Sequence, residues 1–211
     1  MKILNLYAGI GGNRKLWGNE HEVTAVEINP EIAAVYQDLF PSDRVIVGDA
    51  HEYLLEHYHE YDFIWSSPPC PTHSRARYGL GFHGGKVDGV YPDMKLYQEI
   101  IFLKHHFKGS WCVENVQAYY KPLIEPQVLG RHWYWANFDI AKIPVGPSGV
   151  TTSITTAGNP VKKFNVSDYE KRYGYDLSKY KIANKILLLR NCVEPEVGLH
   201  IISSAITPLH F

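Results

Sequence analysis

The strongest constraint on this chain is an alternation: through its first two-thirds, short apolar or β-branched runs take turns with segments of helical period. KILNLY (2–7) is an apolar run ended by glycines, and EVTAVE (22–27), RVIVGDA (44–50), DFIWSS (62–67) and SWCVENV (110–116) follow as further strands. Between them, NPEIAAVYQDLF opens on an Asn29 cap followed by proline. PDMKLYQEIIFLKHHF places Leu96, Ile100 and Leu103 at helical spacing behind an expected Asp93 cap. Strands separated by helices make βαβ units, so the chain is predicted to be α/β, with a mostly parallel, doubly wound sheet covered on both faces. In such sheets ligands bind beyond the carboxyl ends of the strands.

Every distinctive motif falls at such an end. AGIGG follows the first strand, Glu27 closes the second, Asp49 follows the third, SSPPC the fourth, and Glu114 ends the fifth. Glycines there let the backbone approach a ligand closely, but the spacing is not GxGxxG and no GK[ST] follows to hold a triphosphate. An acid at the end of the second strand is where a ribose diol is gripped, and Asp49 is placed to accept from an adenine amino group. An adenosyl ligand without a pyrophosphate fits that set: S-adenosylmethionine.

Cys70 stands directly after Pro68-Pro69 at a strand end. A lone cysteine is usually a small buried hydrophobe, yet here two rings stiffen the exit and turn the thiol to the cleft. Cys112, inside a strand, and Cys192 read as structural. Three widely spaced cysteines suit a reducing cytoplasm better than a disulfide framework, and neither a signal peptide nor a membrane span is expected. Eleven histidines, with His51, His57 and His59 clustered, lack HExxH or Cys-paired spacing, so they read as a solvated helix face rather than a metal site.

The formal net charge is −1, which neither supports nor excludes DNA. Residues 161–190 nevertheless carry eight Lys/Arg against three Asp/Glu, with Tyr169, Tyr173, Tyr175 and Tyr180 among them. That mixture suits phosphate contact and base stacking, or else a solvated insertion. Residues 75–92 hold five glycines and no periodicity, predicting a long functional loop. PEVGLHIISSAI predicts a final helix returning to the core.

Six segments in order, NLYAGIGGNR, AVEINP, GDA, SSPPCPTHS, CVENV and RNCVEPEVGLHI, resemble the motifs of the cytosine-C5 methyltransferases. The likeness spans residues 4 to about 142 and 186–205. It implies a Rossmann-like S-adenosylmethionine-dependent methyltransferase fold with a catalytic domain over 1–145, a small inserted recognition segment over 146–185 and a returning segment over 186–211. Tyr7, Ala8, Gly9, Ile10, Gly11, Glu27, Ile28, Asp49, Ala50, Pro68, Asn191 and Val193 would line the cofactor site. Cys70 would be the nucleophile, Glu114 the acid engaging the cytosine ring, and Arg131 the group holding its carbonyl oxygen. Ser74, Arg75, Arg77, Asn115 and Gln127 would contact substrate, with Lys86 near phosphate. YKPLIEPQVLGRHWYW is the loosest match, with Leu129 where an arginine is usual. Asn5 replaces an aspartate, Ile28 an aromatic, Pro71 a glutamine and Arg190 a glycine.

That chemistry explains the residues. Cytosine C5 is a poor nucleophile, so a thiolate adds to C6 and makes C5 enamine-like, while Glu114 neutralises charge arising on the ring. The base must be flipped out of a duplex, and the 75–92 loop would close over it. Enzymes methylating adenine N6 or cytosine N4 follow Pro-Pro with an aromatic rather than cysteine. RNA as the polymer, and a catalytically idle nucleic-acid-binding or anti-restriction role, stay open. The short 146–185 segment predicts low or short sequence specificity, and the compact chain suits a virus or mobile element.

Overall fold

The computed structural model describes residues 1–82, 85, 88–142 and 165–206. Five parallel strands, β1 (Lys2–Leu6), β2 (Glu22–Glu27), β3 (Arg44–Val47), β4 (Phe63–Ser66) and β5 (Ser110–Val116), join an antiparallel pair, β6 (Gln127–Leu129) and β7 (His132–Ala136). Their order is β3-β2-β1-β4-β5-β7-β6. The winding runs outward from β1 to β3 and then resumes on β1's other side with β4. The carboxyl ends of β1 and β4 therefore flank the point of reversal, where such sheets open a crevice.

Side-chain alternation sends each strand's residues to two covered faces, so the strands are apolar almost throughout. On one face α2 (Ala50–His57) and α4 (Lys95–His106) pack Leu54, Leu96, Ile100 and Leu103 against Leu4, Leu6, Ile64 and Val113. On the other, α7 (Pro195–Ile206) lays Val197, Ile201 and Ile202 on Ile3, Val23, Phe63 and Trp65, and α1 (Pro30–Leu39) seats Tyr36 against Ala8 and Ala25. The final helix thus returns to the core as read.

The caps follow from side-chain chemistry. Asn29 accepts the amides of Glu31 and Ile32 ahead of Pro30 at the first helical position. The third strand stops at Val47, short of the expected Ala50, because Asp49 caps α2 through the amides of His51 and Glu52. At α4 the cap position belongs to Met94, although the Asp93 carboxylate one residue earlier still takes the Lys95 amide at 3.0 Å.

Two expectations are corrected. Residues 75–82 are not loop but helix α3 (Arg75–Phe82). Ser74 starts it by accepting the Ala76 amide, and the Tyr78 ring stacks on Tyr119 at 4.5 Å, so tertiary packing overrides the weak helical preference of glycine. Lys86 lies outside the described residues, as do residues 143–164 at the start of the basic insertion. Second, Tyr169, Tyr173 and Tyr175 are core, with Tyr180 partly buried against them. Along α5 (Val166–Tyr173), Tyr169 and Tyr173 share one face by their spacing of four, and with Tyr175 they bury against Ile10, Val35, Leu188 and Leu189, the last two from α6 (Lys185–Arg190). The Tyr175 hydroxyl donates to Gly11 O at 2.9 Å, and Tyr180 donates to Asp38. The three buried rings are spent on the protein's own core rather than on bases, and Arg172 and Lys179 pair with Glu194 and Asp38.

Among the described residues no helix is long and apolar enough to cross a membrane, and no group of three or more His, Cys, Asp or Glu could hold a metal ion. All three cysteines are free thiols.

Candidate active site

Beyond β1 the backbone turns sharply: Tyr7, Gly9 and Gly11 have φ of 56°, 55° and 77°. At Gly11 a β-carbon would press on the Tyr36 and Phe40 rings, whereas at Gly9 it would meet nothing within 4 Å. The loop therefore bends around open space over Gly9, room a ligand needs. Glu27 fixes that bend, its two oxygens accepting the amides of Gly9 at 3.0 Å and Asn29 at 2.9 Å. Beside it Ile28 is 68% exposed, an apolar surface standing free at a polar strand end.

Asp49 occupies the next strand end. Burial pushes its carboxyl up, but the amides of His51 and Glu52 together with Lys95, 3.5 Å away, outweigh that and hold it below the usual range. Ala8, Ile10, Ala50 and Pro68 are buried around this rim. Asn191 ends α6, and a β-carbon on Gly12 would run into Val193 O, so the closing segment lies directly on the glycine loop. Asn5, in place of an aspartate, forms a reciprocal amide pair with Asn13: Asn13 Nδ2 donates to Asn5 Oδ1 at 2.8 Å and Asn5 Nδ2 returns a 3.4 Å bond. A neutral pair spares the buried strand an uncompensated charge. Open space, an apolar flank and carboxylates at the ends of β2 and β3 fit an adenosyl cofactor.

The base side is built at the exits of β4 and β5. Asn115 Nδ2 donates to Pro68 O at 2.9 Å while its own oxygen accepts the Val116 amide at 3.0 Å. Cys70 O in turn accepts the amides of His73 and Ser74 at 3.0 and 3.1 Å, so the backbone is held on both sides of the thiol. Burial, and then the charge of nearby Glu114, push the Cys70 thiol above its ordinary pKa, which leaves it protonated at neutral pH. Glu114 is 11% exposed, and His132 Nε2, on a side chain 44% exposed, lies 3.7 Å from Glu114 Oε1.

His132 was missed in the sequence. The signal is strand register: β5 pairs Val116 with His132 and Glu114 with Tyr134, which sets His132 diagonally beside Glu114 on one face. Arg131 is exposed at the β6–β7 turn, where Gly130 has φ 59°, and the neighbouring His132 lies against the acid. Gln127 gives both ends of its amide to main chain, donating to Phe138 O at 2.8 Å and accepting from Ile140 N at 2.7 Å. It and Asn115 therefore brace the frame around the strand exits. Ser74 bridges to Ala118, Arg75 Nε donates to Ala118 O at 3.0 Å, and Arg77 is half-buried on α3.

A further polar group missed in the sequence lies under the glycine loop, where Tyr7, His51 and Ser66 converge on the buried Glu99. Glu99 falls three residues after Leu96 and four before Leu103, on the apolar face of α4; a carboxylate there was the available signal.

The profile of the family described as C-5 cytosine-specific DNA methylase matches residues 1–121. Among curated protein sequences none matches. The methyltransferase EhMeth of Entamoeba histolytica superposes with a TM-score of 0.59 at 12% identity, covering 98% of both chains. DNMT2 of Spodoptera frugiperda matches at 27% identity and a TM-score of 0.39, over 55% of this chain and 35% of its own.

Proposed function

The chain belongs to the C-5 cytosine-specific DNA methylase family, S-adenosylmethionine-dependent methyltransferases, and from that premise we propose that it methylates C5 of a flipped-out cytosine in DNA through a covalent Cys70 adduct. The observation that carries this is the pairing of a pinned Cys70 with Glu114 at the exits of adjacent parallel strands, beside the open space over Gly9.

Tyr7, Gly9, Glu27, Ile28, Asp49 and Val193 would hold the cofactor, which when bound supplies an electrophilic methyl group. The chain prepares the base to receive it. Cys70 gives its proton to water and its sulfur bonds to C6, while Glu114, having taken a proton from solvent, passes it to ring N3, so the electron pair of the C5–C6 bond becomes available at C5. After methylation the C5 proton leaves to water, the C6–S bond breaks, and the N3 proton returns to Glu114. His132 Nε2 lies beside Glu114 at 3.7 Å, on the solvent side of the acid. Residues 1–145 make the catalytic unit, 146–185 a reduced target-recognition insertion and 186–211 the segment that closes the cofactor side. An insertion that small gives short or loose sequence specificity; recovery of a long, strict recognition sequence by sequencing methylated sites would contradict it.

The test is incubation with DNA or RNA and labelled S-adenosylmethionine, digestion to nucleosides and mass spectrometry, with Cys70→Ser alongside. The expected product is 5-methylcytosine from DNA, absent with Cys70→Ser. Label in RNA alone reassigns the polymer, an N4 or N6 product overturns the carbon-methylation reading, and no transfer to either polymer favours an idle binding role.

A further inference from the structure

Helix α4 buries Leu96, Tyr97, Ile100 and Leu103 and, among them, Glu99. A carboxylate inside an apolar face is unfavourable unless donors surround it, and packing alone would be served better by leucine. Glu99 has three donors, each from a different element. Tyr7 OH donates to Oε1 at 2.5 Å, His51 Nδ1 meets the same oxygen at 2.9 Å, and Ser66 Oγ donates to Oε2 at 2.6 Å. Tyr7 is the strained residue that opens the glycine loop, Ser66 ends β4 two residues before Pro68, and the His51 amide is one of those that hold Asp49. One buried carboxylate thus ties together the ends of β1 and β4 and the start of α2, the three segments that frame the cofactor side.

Burial and the Glu99 charge keep the Tyr7 hydroxyl protonated, so it stays a donor. The Glu99 hydrogen bond, against the opposing effect of burial, holds His51 above the ordinary histidine range. His51 is partly exposed, so the cluster reaches from the core to the cleft.

We infer that Glu99 is a positioning residue for S-adenosylmethionine, holding Tyr7, His51 and Ser66 so that the cofactor meets a preformed pocket. The inference rests on the cofactor reading above and concerns binding, not the methyl-transfer step. A glutamine at this position keeps the shape but offers one acceptor oxygen where three donors need two, so Glu99→Gln releases at least one of the three segments.

Calorimetric titration of S-adenosylmethionine into the full chain tests this, alongside thermal melting and transfer rates at saturating cofactor. Glu99→Gln is expected to keep a cooperative melt, to raise Kd by about tenfold or more, and to change kcat by less than about threefold. Tyr7→Phe, which deletes only one donor, should raise Kd in the same direction and by less; it decides the matter if Glu99→Gln does not fold. A Kd like that of the unaltered protein in the folded variant overturns the inference, as does a matching fall in kcat with Kd unchanged. Failure of the unaltered protein to bind S-adenosylmethionine would instead overturn the cofactor reading, so the two failures are distinguishable.

Discussion

On the β1–β2 side of the cleft, Glu27 accepts two amides, Asp49 accepts two more, and Glu99 gathers three side-chain donors. On the β4–β5 side, Cys70 is held as a neutral thiol and Glu114 is approached by His132 at 3.7 Å, longer than a hydrogen bond. Both sides have firmly held backbones, but only the first has its charged groups satisfied in advance. The difference teaches a division of labour: one half is finished before any ligand arrives, while the other keeps reactive groups undercommitted until a base enters.

Each half of that contrast can be attacked. Cys70→Ser should lower transfer by about 10⁴-fold or more, as loss of a covalent nucleophile does, with cofactor Kd unmoved in calorimetry; a Kd that rises in parallel would mean the two sides are one. Glu114→Gln should cost about 10²- to 10⁴-fold in the single-turnover rate, the range of a lost acid, and again spare cofactor binding. Because the Cys70 pKa is raised, its thiolate fraction grows as pH rises. The single-turnover rate should therefore climb from pH 7 toward 9 by as much as about tenfold per pH unit, and a flat profile would show that the thiol is already ionised before the chemical step.

Asn115→Ala leaves Pro68 O and the Val116 amide without their partner, a loss of about 1–3 kcal/mol for a buried group. Thermal melting should register it at about 2–4 °C per kcal/mol, and adduct formation should slow as the Cys70 backbone loosens. The smallest effect is expected from His132→Gln, about two- to fivefold in rate, since a pair this long with an exposed partner contributes about 0.2–1 kcal/mol. A loss approaching that of Glu114→Gln would promote His132 from neighbour to obligatory proton carrier.

The comparison also marks what the amino-acid sequence discloses. The order of the five parallel strands along the chain, the Asn29 cap, the final helix and the prolines before Cys70 are local matters of period, turn chemistry and rigid rings, and they were legible. The Glu99 cluster was not, because its members are 7, 51, 66 and 99 and meet only after the sheet is ordered. His132 depends on the register of an antiparallel pair that no local pattern specifies. Tyr169 and Tyr173 misled because the same spacing of four serves a stacking surface and a buried face equally, and only the partner, Ile10 and Val35, decides. Helix α3 was hidden by its glycines, whose low propensity is overridden by Tyr78 against Tyr119.

The contact of Val193 with Gly12, and of α7 with Ile3, Val23, Phe63 and Trp65, has a consequence in time. During synthesis the strands emerge first and α7, which covers part of one of their faces, emerges after all of them. Until residues 193–206 leave the ribosome, Ile3, Val23, Phe63 and Trp65 lack the helix that covers them and Gly12 lacks its contact with Val193, so the nascent chain is at once inactive and adhesive. Methylating capacity therefore switches on only when α7 docks, and a chain truncated before Pro195 should be found with chaperones or in aggregates.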